Sequence, residues 1–154
     1  MIVDVVECRR DWVDDDKTAG GNGAYMVREP ADLAEAFAAM QRNGANAVII
    51  LSDAMFYAWR RQIVALAAER RLPAMSEARE YVEDGGLISY GPNIPELIRR
   101  SAALVDKILK GAKPAELPIE QPKRFELAIN LKAAKTLGLT IPPSLLARAD
   151  QVIE

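Results

Sequence analysis

The sequence predicts an α/β fold of three layers, a parallel sheet covered on both faces by helices. Three observations carry this. Residues 45–51 read Ala-Asn-Ala-Val-Ile-Ile-Leu, a nearly continuous apolar run suited to a strand buried on both faces. Amphipathic stretches alternate with further short runs of this kind along most of the chain. Glycines and prolines mark the junctions between them. Repeated strand–helix–strand units with right-handed crossovers produce a parallel sheet.

Taken in order, residues 2–6 are short and β-branched, a first strand. Residues 11–24 collapse into consecutive acids followed by glycines and read as a mobile loop. A second short strand is placed at residues 24–27. Pro30 opens a helix that carries Leu33, Phe37 and Met40 on one face and stops at Gly44. After the apolar strand at 45–51, Ser52-Asp53 caps a helix over residues 54–71, with Ile63, Leu66, Ala67 and Arg70 giving its period. Residues 72–75 form a third buried strand, a short helix runs to Gly85-Gly86, and residues 87–90 form the fourth. Asn93 with Glu96 makes a capping pair for a helix over 95–110, carrying Leu97, Leu104, Ile108 and Leu109 and ended by Gly111. Residues 113–122 hold three prolines and form an extended connector. A strand follows at 125–131. Asn130 caps a short helix ending at Gly138, and Pro142-Pro143 opens a last helix through about residue 152.

At 154 residues the chain accommodates one domain. Its division is into a divergent strand and loop, residues 1–24, and one α/β lobe, residues 25–154, with a C-terminal extension at 113–154. The net charge of −2 leaves no basic footprint for nucleic acid. The sequence contains no histidine, which removes Ser-His-Asp and Cys-His catalysis and histidine-ligated zinc. Cys8 is the single cysteine, so no intramolecular disulfide forms, and it reads as a small strand residue. Asp14-Asp15-Asp16 lacks the alternating spacing of a calcium loop. Residues 19–24 lack the Lys-Ser/Thr of a phosphate loop and the spacing of a dinucleotide fingerprint. No metal, no cofactor and no enzymatic activity are expected. Asp4 and Glu7 interrupt the start where a secretory peptide is apolar, so the chain as written reads as unexported and cytoplasmic.

In open α/β sheets ligands collect beyond the carboxyl ends of the strands. That rule selects Ser52 and Asp53, Ser76 and Glu77, and Tyr90 and Gly91. Asp53 serves either to accept a hydrogen bond from a ligand amino group or to cap the following helix, and both roles are compatible. Phe56, with Tyr57 and Trp59, either stacks on a planar ligand or packs in the core. Glu77 and Arg79 either read a ligand's charged ends or form a surface ion pair. Tyr90 offers a ring and a hydroxyl to a cleft.

A long ordered succession of motifs then carries a resemblance. Gly86-Leu-Ile-Ser-Tyr-Gly-Pro-Asn93 is followed by Val105-Asp-Lys-Ile-Leu-Lys-Gly-Ala-Lys-Pro114 and Leu117-Pro-Ile-Glu-Gln-Pro122. Next come Phe125-Glu-Leu-Ala-Ile-Asn-Leu-Lys132 and the closing run from Ala134 to Asp150. These resemble the C-terminal half of ABC-transporter substrate-binding proteins with the type I periplasmic-binding fold, some of which take aromatic amino acids. The resemblance covers residues 25–154 and coincides with the strand-end rule at Tyr90. It implies a periplasmic-binding-protein-like lobe that binds a small solute, such as an amino acid or a relative, and a periplasmic location. It also implies an ABC permease as a partner and a first lobe that completes the cleft. In that family the helix matching residues 95–110 returns toward the first lobe. Without that lobe, Leu97, Ile98, Leu104, Val105 and Ile108 need another cover, and a homodimer is the simplest. The alternative is a dimerising interaction module with a vestigial cleft.

Overall fold

The computed structural model describes residues 23–154 and the backbone of residues 3–7. Cys8 and nearly all of the loop read at residues 11–24 lie outside the described residues. The described strands form a seven-stranded sheet in the order β2-β1-β3-β4-β5-β6-β7. Their ranges are β1 Val3–Glu7, β2 Ala24–Met26, β3 Ala47–Ile50, β4 Ala74–Ser76, β5 Ile88–Pro92, β6 Phe125–Asn130 and β7 Gln151–Ile153. The helices are α1 Pro30–Arg42, α2 Ala54–Ala58, α3 Arg60–Glu69, α4 Arg79–Glu83, α5 Ile94–Leu109, α6 Leu131–Leu137 and α7 Pro143–Leu146.

The core forms where the sequence periods meet. Leu33, Phe37 and Met40 of α1 are fully buried, as their spacing predicts. They join Val48 and Ile50 of β3, Ile63 and Ala67 of α3, and Ala74 of β4 in one cluster. Alternation along the strands is clear: Val48, Ile50, Ala74 and Ser76 are buried, whereas Ala47, Ile49 and Met75 are only half-buried. α1 packs on α3 and α3 on α4, so these three helices share the better-buried face. An unforeseen cap starts α1: the Asp32 carboxylate accepts from the backbone N–H of Arg28 at 2.9 Å and of Glu29 at 3.3 Å.

Three expectations need correction. The sheet is mixed, not all parallel. β1 to β5 run parallel, but β6 pairs antiparallel with β5 in the register Ile88↔Ile129 to Pro92↔Phe125. The chain leaves β5 at its carboxyl end and comes back to that same end, so β6 must run the other way. The helix expected over residues 54–71 is two helices, because Trp59 sits at φ −96, ψ 10 between α2 and α3. The last helix ends at Leu146, and Gln151–Ile153 forms a strand parallel to β6 instead. Asp150 causes that switch. Its carboxylate accepts from the Leu127 N–H at 3.0 Å and faces Arg124 at 3.3 Å, while its own N–H donates to the Leu127 carbonyl at 2.8 Å.

The segment between β5 and β6, residues 93–124, is an excursion from the sheet. Asn93 caps α5 by accepting from the Glu96 N–H at 2.8 Å, as the sequence predicts. Yet α5 buries none of its residues. Ile98 is 67 % exposed and Leu109 82 %. The connector lies back along the helix through an Arg100–Glu120 ion pair.

The Asp150 contacts have a pH consequence. The Leu127 N–H, then the Arg124 guanidinium, hold the Asp150 carboxyl below its ordinary range. A depressed carboxyl stabilises the fold above its unfolded pKa of about 4 and loses that contribution as pH falls through the folded value. Asp150→Asn should therefore be less stable than the parent at pH 7, with the gap closing below about pH 4. Urea midpoints collected from pH 3 to pH 7 measure this; a gap that does not change with pH would exclude the linkage.

Candidate functional site

Parallel strands β3, β4 and β5 end side by side, so the residues that follow them are brought together. After β3, Ser52 donates its hydroxyl hydrogen to Glu77 Oε1 beyond β4. After β5's third residue, Gly91 comes so close to the β4–α4 loop that a Cβ there would lie 2.2 Å from the Glu77 carbonyl oxygen. Glycine is the residue that this approach permits. Ser52, Glu77 and Gly91 thus form one polar edge. Beside it lies a recess of about 10 Å³, space for about one water, lined by Glu77, Arg79, Gly91, Asn93 and Glu126. Asn93 Nδ2 donates to Glu126 Oε1 at 2.8 Å and closes its far side.

The remaining sequence-selected residues take different places. Asp53 Oδ1 accepts from the Met55 N–H at 2.7 Å and caps α2. Phe56 is 0 % exposed and belongs to the core, so within this lobe its ring has no surface for a ligand. Ser76 is buried and donates to the Ala78 carbonyl at 3.3 Å, shaping the loop that holds Glu77. Arg79 lies at the recess, 3.7 Å from Glu83. Tyr90 is 50 % exposed. Strand alternation turns it to the opposite face from Ser89 and Gly91, where its ring stacks on Phe125 at 5.7 Å and 28°.

Other residues near these strand ends complete the picture: Tyr57 is read from the sequence with Phe56 and Trp59, whereas Tyr81, Phe125 and Glu126 are not selected by it. Tyr57 is largely exposed, with the Arg60 guanidinium 4.9 Å from its ring centre. Arg60 Nε in turn lies 2.8 Å from Asp84 Oδ2, a charge contact without the alignment of a hydrogen bond. Burial, then the Glu77 charge, push the Tyr81 hydroxyl well above its ordinary pKa, so it stays protonated. Phe125 and Glu126 arrive through the antiparallel pairing of β6, which the sequence pattern does not encode.

A polar edge beyond the carboxyl ends of parallel strands is where ligands collect in open α/β sheets. The sequence matches the family model described as ABC transporter substrate binding protein over residues 23–153. The chain belongs to the ABC transporter substrate-binding protein family. Solved structures share the fold. A conserved domain protein from Vibrio cholerae O1 biovar El Tor superposes with a TM-score of 0.83 at 24 % identity, over 97 % of this chain and 54 % of that one. An ABC domain from Streptococcus pneumoniae in complex with L-Trp gives 0.83 at 26 % identity, over 99 % and 56 %. The ligand-free, open CD0873 from Clostridium difficile, a substrate-binding protein with adhesive properties, gives 0.65 at 15 % identity, over 99 % and 54 %. The chain therefore spans about half the length of those structures. No curated protein matches it.

The Gly91 contact yields a test. Gly91→Ala places a methyl group against backbone that must shift, and the Ser52–Glu77 hydrogen bond shifts with it. The expected cost is roughly 1–3 kcal/mol, read from urea unfolding. An unchanged midpoint would show that the strand ends are not so closely joined.

Proposed function

We propose that this chain forms one wall of a solute-binding cleft, with an amino acid or a related small solute as its ligand and no turnover. The observation that carries the proposal is the convergence of Ser52, Glu77 and Gly91 at the ends of three neighbouring strands. Glu77 is the group to meet a ligand's ammonium, and Asp53 adds negative charge beside it. Arg79 is the candidate for a carboxylate, and the exposed faces of Tyr90 and Tyr57 are candidates for a ring. The L-Trp complex of the pneumococcal domain supports a ligand of this chemical class. In this reading residues 25–154 are the second lobe, the first lobe closes over it in the periplasm, and a membrane-embedded ABC permease receives the solute.

L-Tryptophan and the other amino acids should raise the melting temperature of the chain in a saturable way for at least one of them. Glu77→Ala should remove that shift. A flat response to all twenty would instead favour an interaction module with a vestigial cleft.

The exposed apolar face of α5 supports a second element of the proposal. Exposed Ile98, Val105 and Ile108 at helical spacing are the pattern of a face that packs on a partner. For this chain alone, a second copy is the proposed cover. Size-exclusion with light scattering should give twice the chain mass, and Val105→Glu should return the monomer. A monomeric parent chain would exclude self-association.

A further inference from the structure

A second concavity lies at the opposite end of the strands. Where β4 and β5 begin, residues of α3 and α6 line a hollow of about 270 Å³. It is open because small residues surround it: Ala67 and Ala68 on α3, and Ala133 on α6. The turn before β5 keeps it open. Gly85 sits at φ +106, where other residues are strained, and a Cβ on Gly86 would meet the Tyr81 carbonyl oxygen at 2.7 Å. Val64, Leu72 and Leu87 make the walls apolar.

The charge at this hollow is one-sided. No carboxylate lines it, and its single charged residue is Lys132. Lys132 is exposed and has no ion-pair partner among the described residues. The neighbouring polar groups are already engaged: Asn130 Oδ1 accepts from the Ala133 N–H at 3.0 Å, and Thr136 donates to the Lys132 carbonyl at 3.0 Å. An occupant must therefore be apolar through its body and negative at one end. An apolar cavity of about 150 Å³ holds benzene, so this volume has room for roughly ten non-hydrogen atoms.

We infer that the hollow between α3 and α6 is a binding site for an amphipathic monocarboxylate, its apolar part against Val64, Leu72 and Leu87 and its carboxylate at Lys132. The site is separate from the strand-end edge, because it lies where β4 and β5 start and the edge lies where they finish. Its occupancy does not depend on the solute proposal above.

The test uses octanoate and 1-octanol with the full chain, followed by methyl NMR and calorimetry. Octanoate should saturate and shift the methyl resonances of Val64, Leu72 and Leu87, with 1-octanol at least tenfold weaker. Lys132→Glu, a change at an exposed position, should weaken octanoate tenfold or more and leave 1-octanol unchanged. Ala68→Phe should fill the space and abolish both. Absence of saturation overturns the inference, as do equal octanoate binding by Lys132→Glu, retained binding by Ala68→Phe, and shifts confined to residues near Tyr90 and Glu77. Glu77→Ala serves as the control: the octanoate response should persist in it, and loss there would place the ligand at the strand-end edge instead.

Discussion

Much of the architecture follows from the pairing of Pro92 with Phe125. A chain that departs from a strand's carboxyl end and rejoins at that end has no crossover to make, and the strand it adds must be antiparallel. This single constraint makes the sheet mixed and places Phe125 and Glu126 beside the strand ends. It also frees residues 93–124 from the sheet. The β6 strand then carries β7 on its outer side, locked by Asp150, so the closing segment completes the sheet on which the excursion depends.

The polar edge at the strand ends is a product of backbone geometry before it is a product of side chains. Parallel strands β3, β4 and β5 end together, and the close pass of Gly91 over Glu77 fixes how near their loops lie. Ser52 then orients the Glu77 carboxylate. Buried Ser76 and the Asp53 cap hold the two loops from behind, while Tyr90 is displayed on the other face of β5.

The helix faces and the succession of strands and helices in the parallel half were legible because they rest on local periods. Leu33, Phe37 and Met40 are buried as their spacing requires, and Asn93, Asn130 and Asp53 cap the helices they precede. The direction of β6 was not legible, since a strand's pattern is the same in either direction. The strand at Gln151–Ile153 was hidden for a different reason: the Pro-Pro start resembles that of a long helix, and only the distant Leu127 N–H shows why the chain turns at Asp150. At the edge, the strand-end rule named Ser52, Glu77 and Gly91, which the fold brings side by side. It also selected the neighbourhood of Phe56 without revealing that this ring points inward, because one aromatic at the start of a helix looks like another until the core is assembled.

The bare surface of α5 gives the molecule two levels of cooperativity. The sheet and its helices are held by burial, so their amides open only when the whole unit opens. α5 is held by local bonds, its Asn93 cap and the Lys110–Asp106 pair at 2.8 Å, and these are worth little in an isolated helix. Such a helix, uncovered, is the part of the fold that should fray first, and covering it by the proposed partner would couple its ordering to docking. Association would then be felt at Asn93 and through its hydrogen bond to Glu126, where the excursion meets the polar edge.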